Sequence, residues 1–239
     1  MIFLLSQSLS LAILPMFITF FLCMILGVYM AANQNSFKDL ALNVIFLILY
    51  AIPVFVVGPF LIEKVALNHT FFFTDSAIPL GGFNSPDQEF KMMTSLERLW
   101  DILKHLALPL CAIMYGGLAA QTRIARTAVL EVLRQNYVRT AQAKGLSRFY
   151  ILFKHVGRNA SITIVTSVAG SLGVIIGGSL IIETIFGING FGKFFYEAIL
   201  NYDYNVIMFS VIVGSFLTLL GYLVADVCYT LLDPRVTLD

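Results

Sequence analysis

Residues 106–159 read LALPLCAIMYGGLAAQTRIARTAVLEVLRQNYVRTAQAKGLSRFYILFKHVGRN. The stretch changes character part-way along. From Leu106 to Thr122 it holds no charged residue. Between Glu131 and Asn159, Arg134, Arg139, Lys144, Arg148, Lys154 and Arg158 stand against the single acid Glu131, a net +5. An uncharged apolar run that delivers into a basic segment reads as a membrane helix leaving the hydrocarbon on the cytoplasmic side, where lysine and arginine accumulate.

The rest of the chain repeats the pattern. Of its 239 residues 59% are apolar and only 12% charged, with 21 phenylalanines. A soluble domain carries about 25% charged residues, so the polar surface is too small to clothe a globule in water. Crossing a bilayer takes about 20 apolar residues in a helix. Five stretches meet or approach that length, predicting spans at about 9–32, 40–62, 106–126, 161–182 and 206–225 within one transmembrane domain, 1–239. The third is the shortest in uncharged residues, and its helix is expected to run past Arg123 and Arg126 at the membrane surface. Pro15, Pro53, Pro59 and Pro109 fall inside these runs, where neighbouring helices can re-satisfy the freed carbonyls.

Charge orients the spans. Segment 67–103 sums to −3 and segment 183–205 to −2, so the signs alternate as five crossings require. The loop 131–159, the turn 33–39 and the C-terminus are expected on the cytoplasmic side, with the outer loop 67–105 opposite. The first basic residue is Lys38; the opening apolar run therefore reads as a retained helix, not a cleaved signal. A net charge of +1 gives no reason to expect nucleic acid. Cys23, Cys111 and Cys228 lie singly in apolar sequence and form neither a disulfide framework nor a metal set.

Small residues recur every four positions at Ala169, Gly173 and Gly177, at Gly170 and Gly178, and at Ser210, Gly214 and Thr218. In lipid such stripes let helix backbones approach closely. In the outer loop, Ile78-Pro79-Leu80-Gly81-Gly82-Phe83 is a turn signal. Trp100 reads equally as an interfacial anchor or as a core contact. Asn68-His69-Thr70 matches a glycosylation sequon too common to carry weight.

Within the basic loop, Leu130, Leu133, Tyr137 and Ala141 are placed on one helical face. Gly145 supplies the left-handed position that stops a helix, with Leu146 as its apolar cap contact. Ser147 is an N-cap for a second short helix, Arg148 to Lys154. Helix, glycine bend and helix make a stiff protrusion that can transmit displacement from a motor outside the chain. A plain basic loop lying on phospholipid is the alternative from physics alone.

The run Tyr137-Val138-Arg139-Thr140-Ala141-Gln142-Ala143-Lys144-Gly145-Leu146-Ser147 resembles the EAA-type coupling loop of binding-protein-dependent ABC importer permeases of the dipeptide/oligopeptide/nickel type. The likeness continues in order through Arg158-Asn159-Ala160, Glu183-Thr184-Ile185-Phe186, Gly190-Phe191-Gly192, Asp203-Tyr204, Asp226 and Asp233-Pro234-Arg235. Upstream it includes Leu106 to Pro109 and Arg123 to Arg126, covering the chain from about Leu9 onward. Ile78 to Gly82 further suggests the oligopeptide and peptide-antibiotic subgroup. Gln142, Thr163, Asn189 and Asn205 depart from the usual pattern without removing the bend or the spans. The family's chains usually carry one more membrane helix before the first span here, so relative to them this sequence starts about one helix late.

The resemblance implies an all-α type I importer domain in the bacterial inner membrane. It implies ATPase coupling through Tyr137, Arg139, Thr140, Ala141, Ala143, Lys144, Gly145, Leu146 and Ser147. The implied partners are an ABC ATPase subunit that binds the ATP, a homologous second permease subunit, an extracytoplasmic solute-binding protein and membrane lipid. No cofactor is implied for the chain itself, and the substrate path is unassigned.

Other features point nowhere stronger. Gly187-Ile188-Asn189-Gly190-Phe191-Gly192-Lys193-Phe194 approaches a phosphate-binding loop, but Phe194 stands where a Ser or Thr must hold magnesium, and no strand precedes it. His105 and His155 are single, and His155 is assigned to the loop's own hydrogen bonding. Asp226, at the edge of the last span, is expected to pair with a basic residue. No nucleophile–base–oxyanion constellation appears, so the chain is not expected to be an enzyme. Rival readings are a self-sufficient secondary transporter or channel, disfavoured by the absence of carboxylates within the spans, and a truncated copy without function.

Overall fold

The computed structural model describes residues 2–67, 77–170 and 180–232. It is all-helical. In chain order the elements are α1 Ile2–Ala32, α2 Phe37–Ala51 and α3 Val54–Leu61, the last continued by a π-helical turn Ile62–Ala66. Then come α4 Asp87–Met92, α5 Ser95–Leu133, α6 Asn136–Ala143 and α7 Arg148–Tyr150. A π-helical stretch Ile151–Gly157 leads into α8 Arg158–Gly170. The helical residues 180–185 are called α9, and α10 Phe191–Leu200 and α11 Tyr204–Leu232 complete the chain.

Among the described residues, α1, α5 and α11 are each long and apolar enough to cross a membrane, and α2 with α3 makes a fourth candidate as a bent pair. The expected second span, 40–62, is thus not one helix. It breaks at Ile52–Pro53 because proline supplies no N–H to continue the ladder and disfavours helical geometry in the residue before it. The Ile52 carbonyl left over accepts a hydrogen bond from the Tyr115 hydroxyl. Pro15 and Pro109, by contrast, stay inside α1 and α5. The third span is longer than expected: α5 has 39 residues, about 58 Å at 1.5 Å per residue. Much of the expected fourth span, 161–182, and the stripes at Gly173, Gly177 and Gly178 lie outside the described residues, as do the sequon and Asp233 to Arg235.

The chain divides into two compact units. The first comprises Met1–Pro15, Ile52–Tyr115 and Val174–Ser215. Its core gathers Leu11, Ile78, Leu106, Leu110, Ile182, Phe186 and Ile188. The outer loop is tied down by Asp101, whose carboxylate accepts from the Ser85 backbone N–H (2.8 Å) and hydroxyl (2.6 Å). His105 Nδ1 lies 2.9 Å from the Asp101 carbonyl. Trp100 is 46% exposed, with the Lys104 ammonium 5.8 Å from its ring centroid; it is not a core contact.

The second unit comprises Met16–Ala51, Gly116–Gly173 and Phe216–Asp239. In it Gly27 of α1 lies close against α5, where an added Cβ would be 2.6 Å from the Ala125 Cβ. Cys23, Gly27 and Ala31 repeat at four-residue spacing, a small-residue stripe of the kind expected on other helices. Among the residues of α11 whose side chains are described, only Ser210, Gly221 and Ala225 are buried.

Candidate functional site: the bend between α5 and α8

The segment that the sequence marks as functional starts where α5 ends. Arg134 and Gln135 turn the chain, Gln135 adopts extended geometry (φ −71°, ψ 147°), and α6 begins at Asn136. The break resets the helical phase. The expected single face through Leu130, Leu133, Tyr137 and Ala141 therefore does not form; Val138 and Ala141 are the buried pair of α6, and Tyr137 is 41% exposed.

The bend itself is as expected. Gly145 sits at φ +76°. Its N–H donates to the Gln142 carbonyl (2.9 Å), and the Leu146 N–H donates to the Ala141 carbonyl (3.4 Å). These are the two bonds of a Schellman stop, which satisfies carbonyls the ending helix would leave bare. Leu146 remains 40% exposed. The Ser147 hydroxyl accepts from the Tyr150 N–H (3.3 Å), capping the next helix. That helix does not stop at Lys154; it relaxes into the π-helical stretch and runs on into α8, leaving no hinge on that side.

The bend is anchored. Val138, Ala141, Ile151, Leu152, Val156 and Ala160 pack with Val28 and Ala31 of α1 and with Ala128 and Val129 of α5. The Arg148 guanidinium donates to the Ala32 carbonyl at the C-terminus of α1 (2.6 Å), and the Asn159 amide donates to the Tyr137 hydroxyl (2.5 Å). One layer away, Arg126 of α5 forms a bidentate pair with Asp39 of α2, both bonds 2.7 Å, with Asp39 only 2% exposed. The Asn35 N–H also donates to Asp39 (3.0 Å), so the α1–α2 turn is held to α5.

Of the nine residues expected to couple to an ATPase, only Ala141 is buried; Tyr137, Arg139, Thr140, Ala143, Lys144, Gly145, Leu146 and Ser147 form an exposed surface around the bend. Phe149 and Phe153 extend it, their rings 4.4 Å apart. The arrangement is a stiff knob with a mixed apolar and cationic face. His155 stacks edge-on against Tyr150.

Sequence reading gave no role to three side chains that hold this architecture: Asp39, Arg148 and, in the other unit, Glu183. Glu183 is fully buried. Its carboxylate accepts from the Ser8 hydroxyl (2.6 Å) and from the Lys193 N–H (2.7 Å), while Ser8 accepts from the Phe191 N–H (2.7 Å). The N–H groups that open α10 are thus met by the chain's own carboxylate. This explains the phosphate-loop look-alike: the helix start at Gly190 is a binding site for an internal anion. Gly190 must lack a side chain, since a Cβ there would lie 2.3 Å from the Glu183 Cδ. Asp226 is exposed, and among the described residues it has no basic partner.

Comparison with known proteins shows the family. Residues 23–238 match the family described as binding-protein-dependent transport system inner membrane component. The chain belongs to that family. As a member, this inner membrane component is a multi-pass protein of the bacterial inner membrane. It is 35% identical over 215 residues to the dipeptide transport system permease protein of Bacillus subtilis, covering 90% of this chain and 62% of that one. It is 35% identical over 210 residues to the oligopeptide transport system permease protein of the same organism, covering 88% and 62%. With an inner membrane ABC transporter permease of Escherichia coli O157:H7 it shares 33% over 236 residues, covering 98% and 63%. The inner membrane component therefore spans a little over three-fifths of the length of these relatives.

Proposed function

We propose that this chain forms part of the translocation pathway of an ATP-driven importer of peptides and takes its force through the α6–α7 bend. The observation that carries the proposal is that bend: a helix stop at Gly145, fixed to α1 and α5 by packing and by Arg148, with its outer face exposed. A membrane domain without a nucleotide site must receive work by contact, and a contact transmits displacement only if it does not deform.

In this reading Tyr137, Arg139, Thr140, Ala143, Lys144, Gly145, Leu146 and Ser147 dock against a separate ATPase subunit, and Ala141 seats α6 on its own core. ATP binds and is hydrolysed in that partner, and the chain is not an enzyme. A homologous second permease supplies the other half of the pathway, and an extracytoplasmic binding protein delivers the solute. Peptide as the solute follows from the names of the relatives. The bend lies on the cytoplasmic side by its charge, and the C-terminus, two crossings later, lies on the same side. Each partner drives the cycle only by binding one of the two access states better than the other.

The test is affinity purification of the tagged chain expressed with its neighbouring genes. An ATPase with a phosphate-binding loop should co-purify in fixed ratio, and Lys144→Glu should release it. A chain that moves peptide when purified alone, with no nucleotide-hydrolysing partner, would sink the proposal.

A further inference from the structure

Beside the anchored bend, the second unit holds a cleft of about 530 Å³ between α2, α5 and α8. This is the size of a small-ligand site. One wall is a ridge of α5 on which Arg123, Thr127 and Glu131 follow one another at four-residue spacing, so all three present to the same side. All three are exposed. Asn43 and Tyr50, seven positions apart on α2, form the facing wall, and Thr163 of α8 also lines the cleft.

The charges divide into used and unused. Arg126 also borders the cleft, but its guanidinium is committed to Asp39 through two 2.7 Å bonds. Asn43 donates its amide to Asp39, which leaves its carbonyl oxygen as an acceptor. Thr127 donates to the Arg123 carbonyl and keeps its lone pairs. Among the described residues, Arg123 and Glu131 have no ion-pair partner. The cleft therefore presents one open cation and one open anion with neutral hydrogen-bonding groups between them.

We infer that this cleft binds a short zwitterionic peptide, its C-terminal carboxylate on Arg123 and its α-ammonium on Glu131, on the inner part of the translocation path. The inference rests on the importer reading above and deepens it. Its measure is length. Arg123 and Glu131 lie eight residues apart on one helix, about 12 Å at 1.5 Å per residue. An extended peptide spans about 3.3–3.6 Å per residue, so three or four residues match the spacing of the two positions. Polarity agrees as well: Glu131 lies in the last turn of α5, where the helix dipole favours a cation. A phosphoethanolamine lipid headgroup carries the same two charges only a few bonds apart, too close to engage both.

The experiment uses the whole transporter in nanodiscs of phosphatidylcholine and phosphatidylglycerol, without ATP or binding protein, and measures calorimetric binding of trialanine, its C-terminal amide and its N-acetyl form. The expected result is that each block weakens binding roughly tenfold, the loss of a charge-assisted hydrogen bond. Arg123→Gln should erase the penalty for amidation alone, and Glu131→Gln the penalty for acetylation alone. Equal binding of all three peptides, penalties that survive both substitutions, or no binding of trialanine would each overturn the inference. ATP-driven uptake by the unaltered transporter separates the two levels. Uptake that proceeds while the binding arms fail removes only the cleft, whereas no ATP-driven uptake removes the importer reading itself.

Discussion

Gly145 offers the sharpest test of the bend, because its requirement is purely conformational. An added Cβ there meets nothing within 4 Å, so alanine creates no clash and its effect comes from φ +76°. For a residue with a Cβ the left-handed region costs about 1–2 kcal/mol, and asparagine is tolerated there better than most. Three variants therefore rank themselves: Gly145→Asn mildest, Gly145→Ala intermediate, Gly145→Val worst. A cost of about 2 kcal/mol lowers the ratio of bent to unbent chain by roughly thirtyfold, since 1.4 kcal/mol is a factor of ten. An unbent chain loses both Schellman bonds and redirects Arg148 away from the Ala32 carbonyl. Peptide-stimulated ATP hydrolysis in proteoliposomes should fall in that order, with membrane abundance near wild type because the spans are untouched. Wild-type stimulation in the valine variant, at equal protein level, would refute the coupling role of the bend.

Four further outcomes follow from the geometry. Asp39→Asn strands Arg126 beside a neutral group and should lower stability by about 3–5 kcal/mol, read as a fall in the unfolding temperature of the detergent-purified protein. Replacing both partners, Asp39→Asn with Arg126→Met, should recover part of that loss, and no recovery would show that the pair is not the source. Gly190→Ala forces a Cβ onto the Glu183 carboxyl and should reduce membrane abundance more than Ser8→Ala, which removes two hydrogen bonds but adds no atoms. In a background lacking Cys23, Cys111 and Cys228, Lys144→Cys should react with a membrane-impermeant maleimide only from the cytoplasmic side and Lys91→Cys only from the other; the reverse pattern would invert the topology.

What could be read in the sequence was whatever depends on residues near one another in the chain. Ser147 capping Tyr150 and Gly145 closing α6 each involve partners within five positions, and both were legible. Residues apart in sequence were not. Asp39 and Arg126 are separated by 87 positions, and Ser8 and Glu183 by 175, so nothing local marks them as partners. The straight second span failed for a different reason. Apolar content measures compatibility with lipid and is blind to the backbone limits that Pro53 sets on itself and on Ile52, where α2 breaks from α3. The phase of α6 failed likewise, because periodicity counted through Arg134 and Gln135 assumes a continuous helix.

In the proposed coupling role, the distant partners are also what would make the bend usable. A Schellman stop fixes the local angle, but a loop of fixed angle that swings freely about its ends still transmits nothing. Here one end is α5, tied through Arg126 to the α1–α2 turn, and the other is a helix that continues without interruption into α8. Between them Arg148 takes the last carbonyl of α1. A push on the exposed face at Arg139 to Ser147 therefore reaches α1, α2, α5 and α8 together. Cutting only the Arg148 contact, with Arg148→Gln, should leave α5 and α8 following the bend while α1 lags. The expected signature is basal ATP hydrolysis at the wild-type rate with fewer peptides moved per ATP. An unchanged ratio would mean that α1 follows through the packing of Val28 and Ala31 alone.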